Sequence, residues 1–413
     1  MTVKIAFISH SNCIYGASRS LLNLIEGLRD YDVESFVIME GPGELAGLLE
    51  KAGAKVAYVP VRWWVHTHER VSAYVRTKLA LRALLRGRIK SALCALLGEK
   101  WFIKDVWEDS ENITRIVEIL KAWDVDLVQS NSSVIPAGYY ASRALNIPHI
   151  WHLREFWENY NFHVDLGNAR TRKIVNSSEA CIAVSNSVAE YYFDTAALGI
   201  KRVIYNGVLG LAEFNELREK NVACKKSGND FIFGLIGNIQ PSKGFDVAIR
   251  ALSLVKVDFP FARLAIAGGD NFGTISALKN LANELDVASN IDWMGEFDDP
   301  FKLYVTIDAL LMCSRKEAMG RVTVEAFAAC KPVIGFDGAG TSELITHGKT
   351  GLLYRGEHEA LASAMRIYLN DPSLARNMGM AAWEEAHARF TSEEYARQFY
   401  QVIEELLNGR SPA

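Results

Sequence analysis

Short apolar segments alternate with segments of helical periodicity along almost the whole chain. The first part reads KIAFIS, SLLNLIEGL, SFVIM, ELAGLLEKAG and KVAYVP, and a later part reads FIFGLIG, RLAIAGG, ALLMC, PVIGF and GLLY. Short apolar runs of this kind are typical of buried parallel strands, which need helical crossovers to connect them. The order of segments therefore predicts an α/β fold with doubly wound parallel sheets.

The length of the chain indicates two such domains, because 413 residues exceed what a single core usually holds. A polar stretch also interrupts the alternation of strands and helices. We predict a first domain at 1–208, an irregular linker at 209–230, a second domain at 231–390 and a C-terminal helix at 391–413. The closing segment SEEYARQFYQVIEELL has the pattern of an amphipathic helix.

The composition is typical of a soluble globular protein, with 49% apolar and 23% charged residues. A net charge of −4 argues against a general nucleic-acid binder. The six cysteines form no C-x-x-C pair, so we expect reduced thiols in the cytoplasm. No apolar run approaches the length of a membrane span.

One basic segment departs from the overall acidic balance. Residues 62–104 contain ten lysines and arginines but two glutamates, and we predict a helical insertion at about 62–110. Four basic residues spaced by four fall on one helix face, namely Lys78, Arg82, Arg86 and Lys90. The flanking aromatic residues are Trp63, Trp64, Trp101 and Phe102. This pattern predicts attachment to an anionic membrane surface, with a solvated face or pairing to acidic patches as the alternative.

The segment EAMGRVTVEAFAACKPVIGFDGAGTSELI, from Glu317 to Ile345, carries the strongest functional pattern. Gly320 precedes a predicted helix, whose free N–H groups attract phosphate. Glu325 lies about two turns along that helix and could reach a sugar hydroxyl, while Glu317 stands on the loop in front. A phosphate-binding helix end flanked by carboxylates predicts a nucleotide-sugar site.

This segment resembles the E-x7-E region of retaining glycosyltransferases with the GT-B architecture. FGLIGNIQPSKGFDVAIRAL, YNGV and YGASRSLLNLIEGL resemble three further motifs of that family and occur in its order. The resemblance implies an α/β fold of two Rossmann-like, doubly wound parallel-sheet domains that face a central cleft. It also implies that the last helix crosses back to the first domain.

The resemblance implies a donor-binding set in both domains. Glu325 would bond the ribose of the donor nucleotide, and Glu317 would lie beside the donor sugar. Lys243 would stabilise the negative charge on the departing diphosphate. The remaining predicted donor contacts are Gly16, Ala17, Gly237, Asn238, Met319, Gly320 and Arg321. Asn238 stands where the family usually has an arginine, so Arg321 is a candidate for the missing charge.

On the acceptor side, the resemblance assigns His152 to the surroundings of the donor sugar and the acceptor. Arg154 and Glu155 follow it closely and could hold acceptor hydroxyls or phosphate. His149 is a competing histidine. In the first glycine loop Tyr15 replaces a glycine, and we expect the next helix to begin at Ser18 or Ser20.

Glu317, Lys243 and His152 are the predicted catalytic residues of a cytoplasmic, membrane-peripheral transferase at the inner face of the plasma membrane. It would move a hexose from a nucleoside-diphosphate sugar to a surface glycan or lipid-linked saccharide, with retention and without a cofactor or metal. Asp298 and Asp299 look like a loop rather than a metal site. A sugar-nucleotide epimerase and a catalytically silent binding subunit remain alternatives. The lack of G-x-G-x-x-G after the first strand argues against a dinucleotide enzyme.

Overall fold

The structure is a computed structural model that describes residues 2–67, 110–160, 162–164, 167–223, 228–270, 273–296 and 301–408, and elements are numbered in chain order within these ranges. The chain divides into two units. The first comprises Met1–Val184, Val188–Ile204 and Gln398–Ala413, and the second comprises Ser185–Ser187 and Tyr205–Arg397.

The first unit contains a seven-stranded sheet in which every pair of neighbours is parallel, in the order β3-β2-β1-β5-β6-β8-β9. A separate antiparallel pair joins β4 and β7. The strands are β1 Val3–Ile8, β2 Val33–Met39, β3 Lys55–Tyr58, β4 Val65–Thr67, β5 Leu127–Ser130, β6 His149–Leu153, β7 Phe162–Val164, β8 Ala180–Ala183 and β9 Ile200–Val203. The helices up to β9 are α1 Gly16–Gly27, α2 Glu44–Lys51, α3 Ser110–Trp123, α4 Ala137–Leu145, α5 Asn168–Asn176 and α6 Asn186–Tyr192, the last of which straddles the two units.

The second unit contains a six-stranded, fully parallel sheet in the order β12-β11-β10-β13-β14-β15. Its strands are β10 Phe231–Ile236, β11 Ala262–Ala267, β12 Ile291–Gly295, β13 Ala309–Met312, β14 Val333–Phe336 and β15 Gly351–Tyr354. The remaining helices are α7 Leu211–Ala223, α8 Phe245–Lys256, α9 Ile275–Glu284, α10 Phe301–Thr306, α11 Arg321–Ala328, α12 Ala339–Leu344, α13 His358–Asn370, α14 Pro372–Arg389 and α15 Ser392–Asn408.

The predicted α/β class with two doubly wound sheets is confirmed. The central strands are buried on both faces, as the successive residues Phe7 and Ile8 of β1 illustrate, since they point to opposite faces and neither has exposed surface. Helices that cover both faces of a parallel sheet explain why these strands read as continuous apolar runs. The apolar segments of the sequence thus correspond to the sheet cores of two Rossmann-like domains.

The prediction of an irregular linker at 209–230 is wrong for much of its length, because α7 occupies Leu211–Ala223. Phe214 is fully buried within the second unit, and its carbonyl accepts a hydrogen bond from the Trp383 indole at 3.1 Å. The sequence does not indicate this helix, because its polar residues are distributed around the helix axis and leave no clear apolar stripe. Burial of Phe214 against the second unit stabilises a segment whose sequence lacks strong periodicity.

The last helix, α15, is shared between the units. Its residues up to Arg397 group with the second unit, and those from Gln398 onward group with the first. In the first unit the ring of Phe399 lies 6.2 Å from that of Phe7 and stacks on His152 with centroids 6.4 Å apart. Phe399 therefore fills the space beside the central strands of the first sheet.

In each sheet the strand order runs outward in opposite directions from one central point. This switch point lies between β1 and β5 in the first unit and between β10 and β13 in the second. In open α/β sheets, ligands bind outside the carboxyl ends of the strands at such a point, because the two connecting loops diverge there. The loops after β1, β5, β10 and β13 are therefore the places to look for functional side chains.

Candidate functional site

Two loops meet at the switch point of the second sheet. The loop after β10 contains Gly237 and Asn238 and leads into a short 3-10 helix, Pro241–Lys243. Gly244 follows in a left-handed conformation, with φ of +70°. A Cβ atom at Gly244 would lie 2.8 Å from both the Cβ and the carbonyl oxygen of Cys313, just after β13. Only a glycine permits this approach, which brings Lys243 beside the second loop.

Lys243 and Glu317 form an ion pair across these two loops. The Lys243 ammonium donates to Glu317 Oε2 at 2.6 Å. Their side chains keep 30% and 19% of their surface exposed, so the pair is only partly shielded from water. Two residues that the sequence placed 74 positions apart are thus brought into contact at the edge where a ligand would bind.

Helix α12 contacts the loop that carries Glu317 and fixes its position. Gly340 N–H donates to the Glu317 carbonyl at 2.8 Å. A Cβ atom at Gly340 would lie only 2.2 Å from the Ala318 carbonyl oxygen, so a larger residue would displace the loop. The glycine loop at 338–340 therefore fixes the position of Glu317.

Glu325 belongs to a buried network on α11. Arg321 Nε donates to Glu325 Oε1 at 2.9 Å, and the Tyr304 hydroxyl donates to Glu325 Oε2 at 3.0 Å. Burial raises the pKa of Tyr304 well above its usual value, and the neighbouring Glu325 carboxylate raises it further. Glu325 is thus held in one orientation by two donors, one of them cationic.

The start of α11 follows the predicted pattern. Gly320 caps it with φ of +87°, a left-handed conformation that a glycine adopts without strain. Met319 is buried, and its Sδ accepts a hydrogen bond from Asn206 N–H at 3.2 Å. Arg321 donates from Nη2 to the Val208 carbonyl at 2.7 Å as well as to Glu325. Because its guanidinium is engaged internally, the geometry does not favour Arg321 as the replacement for the arginine missing at position 238.

Glu343 lies on α12, three residues after Gly340, and its carboxylate accepts several hydrogen bonds. Its carboxylate accepts hydrogen bonds from the backbone N–H groups of Asn186 and Ser187 at 2.7 and 2.8 Å and from the Tyr205 hydroxyl at 2.8 Å. Burial raises the pKa of Glu343, but the hydrogen bonds from Ser187, Asn186 and Tyr205 outweigh it and leave the pKa below its usual value. This ionised carboxylate anchors α12, and through it the Glu317 loop.

In the first unit, His152 lies inside β6 and has no exposed surface. Burial, with a smaller effect of the nearby Arg154 charge, lowers the pKa of His152 well below its usual value. Arg154 Nη2 donates to His152 Nδ1 at 3.3 Å and to Asn131 Oδ1 at 2.9 Å. His152 is therefore a neutral imidazole that helps to hold Arg154.

Glu155 is buried in the first unit, and its predicted contact with an acceptor stays a prediction. Its Oε1 accepts hydrogen bonds from the Ser132 hydroxyl at 2.9 Å and from Ser133 N–H at 2.8 Å, and the Ser133 hydroxyl also donates to it. Burial raises the pKa of Glu155, and the hydrogen bonds from the two serines counter this only in part. The side chain turns into the unit because the loop after β5 offers it a cluster of donors.

The first glycine loop differs from its prediction in one respect. Helix α1 begins at Gly16, two residues before the earlier of the two expected starts, with an exposed Tyr15 as its N-cap. The Ala17 carbonyl accepts a hydrogen bond from the Asn131 side chain at 3.2 Å. Gly16 and Ala17 thus lie in the first turn of the helix, beside the loop after β5.

His149, the competing histidine, is structural. Its Nδ1 and Nε2 atoms lie 3.0 and 2.9 Å from the hydroxyl oxygens of Ser178 and Ser130. Burial lowers the pKa of His149 well below its usual value, with a smaller effect of Arg143. With both ring nitrogens engaged inside the unit, it has no route to a ligand.

Most of the predicted basic insertion, including Lys78, lies outside the described residues, as do Asp298 and Asp299. Of its flanking tryptophans, Trp64 has no exposed surface and its indole donates to the Ser133 carbonyl at 2.5 Å. Trp64 therefore cannot contact a membrane surface. Within the described ranges, no helix is both long and apolar enough to cross a membrane, and no cluster of three or more candidate ligands could hold a metal ion.

Two residues at these sites were not anticipated from the sequence. Asn131 directly follows β5, so the rule that polar residues at strand ends gather at the switch point could have found it. Tyr304 left no such signal, because a tyrosine in the apolar segment KLYVT reads as a core residue. Its role depends on the hydroxyl reaching Glu325, which only the folded chain reveals.

Two family models match this chain. Residues 216–385 match glycosyl transferases group 1, and residues 99–208 match glycosyltransferase family 4. The two matches fall in successive parts of the chain and together cover about two thirds of it. They agree in place with the donor motifs and with the first-domain segment that contains His152.

Two curated relatives give the level of similarity. The chain is 30% identical over 180 residues to N-acetyl-alpha-D-glucosaminyl L-malate synthase of Bacillus anthracis, which covers 42% of this chain and 46% of that protein. It is 24% identical over 302 residues to an uncharacterized glycosyltransferase of Haemophilus influenzae, which covers 72% and 80%. The chain thus matches less than half the length of the first relative.

Solved structures share the fold along the whole chain. The structure of Anabaena HepE in complex with UDP and glucose matches with a TM-score of 0.71 at 21% identity, over 98% of this chain and 100% of that chain. A glycosyltransferase from Rickettsia africae matches with a TM-score of 0.73 at 20% identity, over 99% and 100%. The fold is therefore the GT-B type, with two Rossmann-like domains.

Proposed function

Because this chain belongs to the glycosyltransferase family 4-like, group 1 glycosyltransferases, we propose that it transfers a hexose from a nucleoside-diphosphate sugar, with retention at the anomeric carbon. The observation that carries the proposal is the Lys243–Glu317 ion pair at the switch point of the second sheet. A cation and a carboxylate at this edge match the two needs of the donor, a diphosphate and a polyhydroxyl sugar.

The donor diphosphate would lie between Lys243 and the first turn of α11. Gly320 leaves that turn without a side chain in front of it, so backbone N–H groups can approach phosphate oxygens. Glu325, already oriented by Arg321 and Tyr304, would accept hydrogen bonds from the ribose hydroxyls. Glu317 would hold a hydroxyl of the donor sugar.

In the proposed chemistry, the acceptor oxygen attacks the anomeric carbon from the same face that the leaving group departs from. The bond between the anomeric carbon and the phosphate oxygen breaks, and its electron pair stays on the departing diphosphate. The acceptor oxygen forms the new bond to the anomeric carbon, and its proton passes to that phosphate oxygen. Lys243 and the α11 amides stabilise the developing negative charge, which is the largest effect that a site without a protein nucleophile can supply.

The acceptor is proposed to be a glycan or a lipid-linked saccharide, reached at the inner face of the cytoplasmic membrane. The support is the basic segment 62–104, with Lys78, Arg82, Arg86 and Lys90 at helical spacing. Co-sedimentation with vesicles tests this part. We expect binding to phosphatidylglycerol-containing vesicles that falls when these four residues are changed to glutamine, and equal pelleting of both proteins would remove the membrane from the proposal.

Titration calorimetry with UDP, GDP and ADP tests the donor site. We expect one nucleotide to bind the wild type, and Glu325→Gln to weaken it by about tenfold, since a neutral amide is the poorer acceptor for two ribose hydroxyls. Glu359→Gln is the matched control, because Glu359 lies in the same unit with a largely exposed side chain. Thermal unfolding of each variant checks that the buried network has not collapsed.

Binding of no nucleotide, or equal affinity of the wild type and Glu325→Gln, would contradict the donor site. The first outcome would favour a silent binding subunit. An epimerase would bind a nucleotide as well, but it would convert the sugar nucleotide in the absence of any acceptor.

A further inference from the structure

A cluster of aromatic rings lies beside the switch point of the first sheet. Trp63 keeps 38% of its surface exposed, whereas the adjacent Trp64 is fully buried and stacks on Trp151 with ring centroids 5.6 Å apart. The anchored Trp64 fixes the backbone from which Trp63 projects outward. The Phe162 and Trp63 rings pack in a T-shaped arrangement, with centroids 6.0 Å apart and an interplanar angle of 82°.

His10 completes this cluster. It follows β1 by two residues, and its ring centroid lies 5.7 Å from that of Trp63. Burial lowers the pKa of His10 to about 4, with a smaller effect of the Arg154 charge, so the imidazole is neutral at physiological pH. Its Nδ1 atom is buried and, among the described residues, has no hydrogen-bond partner.

We propose that Trp63, Phe162 and His10 form an acceptor subsite that binds a saccharide ring by stacking on Trp63. The inference rests on the proposed transferase function and names the residues that would hold its saccharide acceptor. A pyranose has an apolar face of C–H groups and a rim of hydroxyls. The exposed indole covers the first, and the neutral imidazole of His10 can bond the second.

The composition of the cluster favours a sugar over the other candidate acceptors. A phosphate or a small dicarboxylic acid would be bound by two or more cations, but the rings that contact Trp63 are a neutral imidazole and a phenyl ring. An acyl chain would need a continuous apolar groove, and Trp64, which could have extended one, is turned into the core. A single exposed indole edged by polar groups fits a ring of mixed polarity.

The position of the cluster supports the same conclusion. His10 follows β1 and Asn131 follows β5, which are the two strands at the switch point of the first sheet. Asn131 binds Arg154, whose charge acts on His10. The subsite is thus continuous with the polar residues at the carboxyl ends of the strands, where ligands of this class of sheet bind.

A glycan microarray tests this subsite. Labelled full-length protein is applied to mono- and disaccharides of hexoses, each carried on the same alkyl spacer, with the sugar-free spacer as a spot of its own. We expect the wild type to bind a subset of the sugars, Trp63→Ala to bind them about tenfold more weakly, and Trp63→Phe to retain part of the affinity. His10→Ala should also weaken binding.

Leu198→Ala is the control, because Leu198 is an exposed apolar residue of the same unit and its loss should change nothing. Three results would each overturn the subsite: no sugar bound by the wild type, equal binding by Trp63→Ala, or equal binding to the sugar-free spacer. Nucleotide titration of Trp63→Ala separates this proposal from the previous one. Unchanged nucleotide affinity together with lost sugar binding supports the subsite, whereas loss of both would indicate general damage and overturn it.

Discussion

Replacing Glu317 with glutamine should tighten the binding of the product nucleoside diphosphate and at the same time slow transfer. In the structure the Glu317 carboxylate lies 2.6 Å from the Lys243 ammonium. A diphosphate that binds the same ammonium brings a second negative group next to the first. The variant Glu317→Gln keeps the shape of the side chain and removes this repulsion.

The magnitude follows from the geometry of a shared ammonium. Two anionic groups bound to one ammonium lie about 5 Å apart, and at an effective dielectric constant of about 20 they repel by about 3 kcal/mol. The side chains of the pair keep 30% and 19% exposure, so water screens a large part of this. With about a third of the repulsion remaining after screening, its loss is worth roughly 1 kcal/mol, which corresponds to about fivefold tighter binding of the diphosphate.

Turnover should move in the opposite direction. Glu317 is proposed to hold the donor sugar, and a loss of that orientation typically lowers kcat by about a hundredfold. Calorimetry gives the affinity for whichever of UDP, GDP and ADP the wild type binds, and release of that nucleotide gives kcat. Glu359→Gln controls for the loss of one negative charge elsewhere in the second unit.

A double-mutant cycle with Lys243→Ala identifies the source of the effect. If the repulsion acts through the shared ammonium, the tightening caused by Glu317→Gln disappears when Lys243 is absent. Unchanged or weaker nucleotide binding in Glu317→Gln alone would refute the reasoning, because the carboxylate would then lie away from the phosphates.

Three further predictions concern stability and cofactor use. The thermal midpoint should fall as the pH drops from 7 to 5, because burial lowers the pKa values of His149 and His152 and the unfolded chain therefore binds more protons below about pH 6.5. Each histidine contributes to the free energy of unfolding a slope of up to about 1.4 kcal/mol per pH unit. His149→Gln should flatten the dependence of the midpoint on pH, and an unaltered dependence would contradict the buried neutral state of His149. Gly340→Ala should lower the free energy of unfolding by about 1–3 kcal/mol and weaken nucleotide binding, because the new Cβ would lie 2.2 Å from the Ala318 carbonyl oxygen. Gly210→Ala is the control, because a Cβ there meets nothing closer than 3.5 Å, and its free energy of unfolding should equal that of the wild type. Turnover should be unchanged in excess EDTA, because in the proposed mechanism Lys243 and helix amides would take the place of a divalent ion, and a loss that Mg²⁺ or Mn²⁺ restores would count against that proposal.

The fold could be predicted from the sequence because parallel strands buried on both faces leave an unmistakable apolar run. The start of α11 was also predictable, since Gly320 before an amphipathic segment is a specific local signal. The helix at Leu211–Ala223 was not, because tertiary packing of Phe214 rather than local periodicity stabilises it. Local patterns report local structure and are silent about such packing.

The candidate site was predictable in its residue types but not in its contacts. The sequence placed Glu155 at a strand end, yet it could not reveal that the serines after β5 draw the carboxylate inward. Likewise Trp63 and Trp64 are adjacent and identical, and only the buried partners of Trp64 distinguish the exposed ring from the core one. Which way a side chain turns depends on donors that lie far away in sequence.

The most direct test of the central claim is an NMR assay of donor consumption. UDP-, GDP- and ADP-hexoses are incubated with the full-length protein and with Lys243→Ala, with and without a mixture of hexose acceptors. We expect one sugar nucleotide to be converted to free nucleoside diphosphate, faster with acceptor, and the Lys243→Ala rate to fall by about a hundredfold or more. If every donor survives, or if a donor is converted to its epimer without nucleotide release, the proposal that this chain is a hexosyltransferase is contradicted.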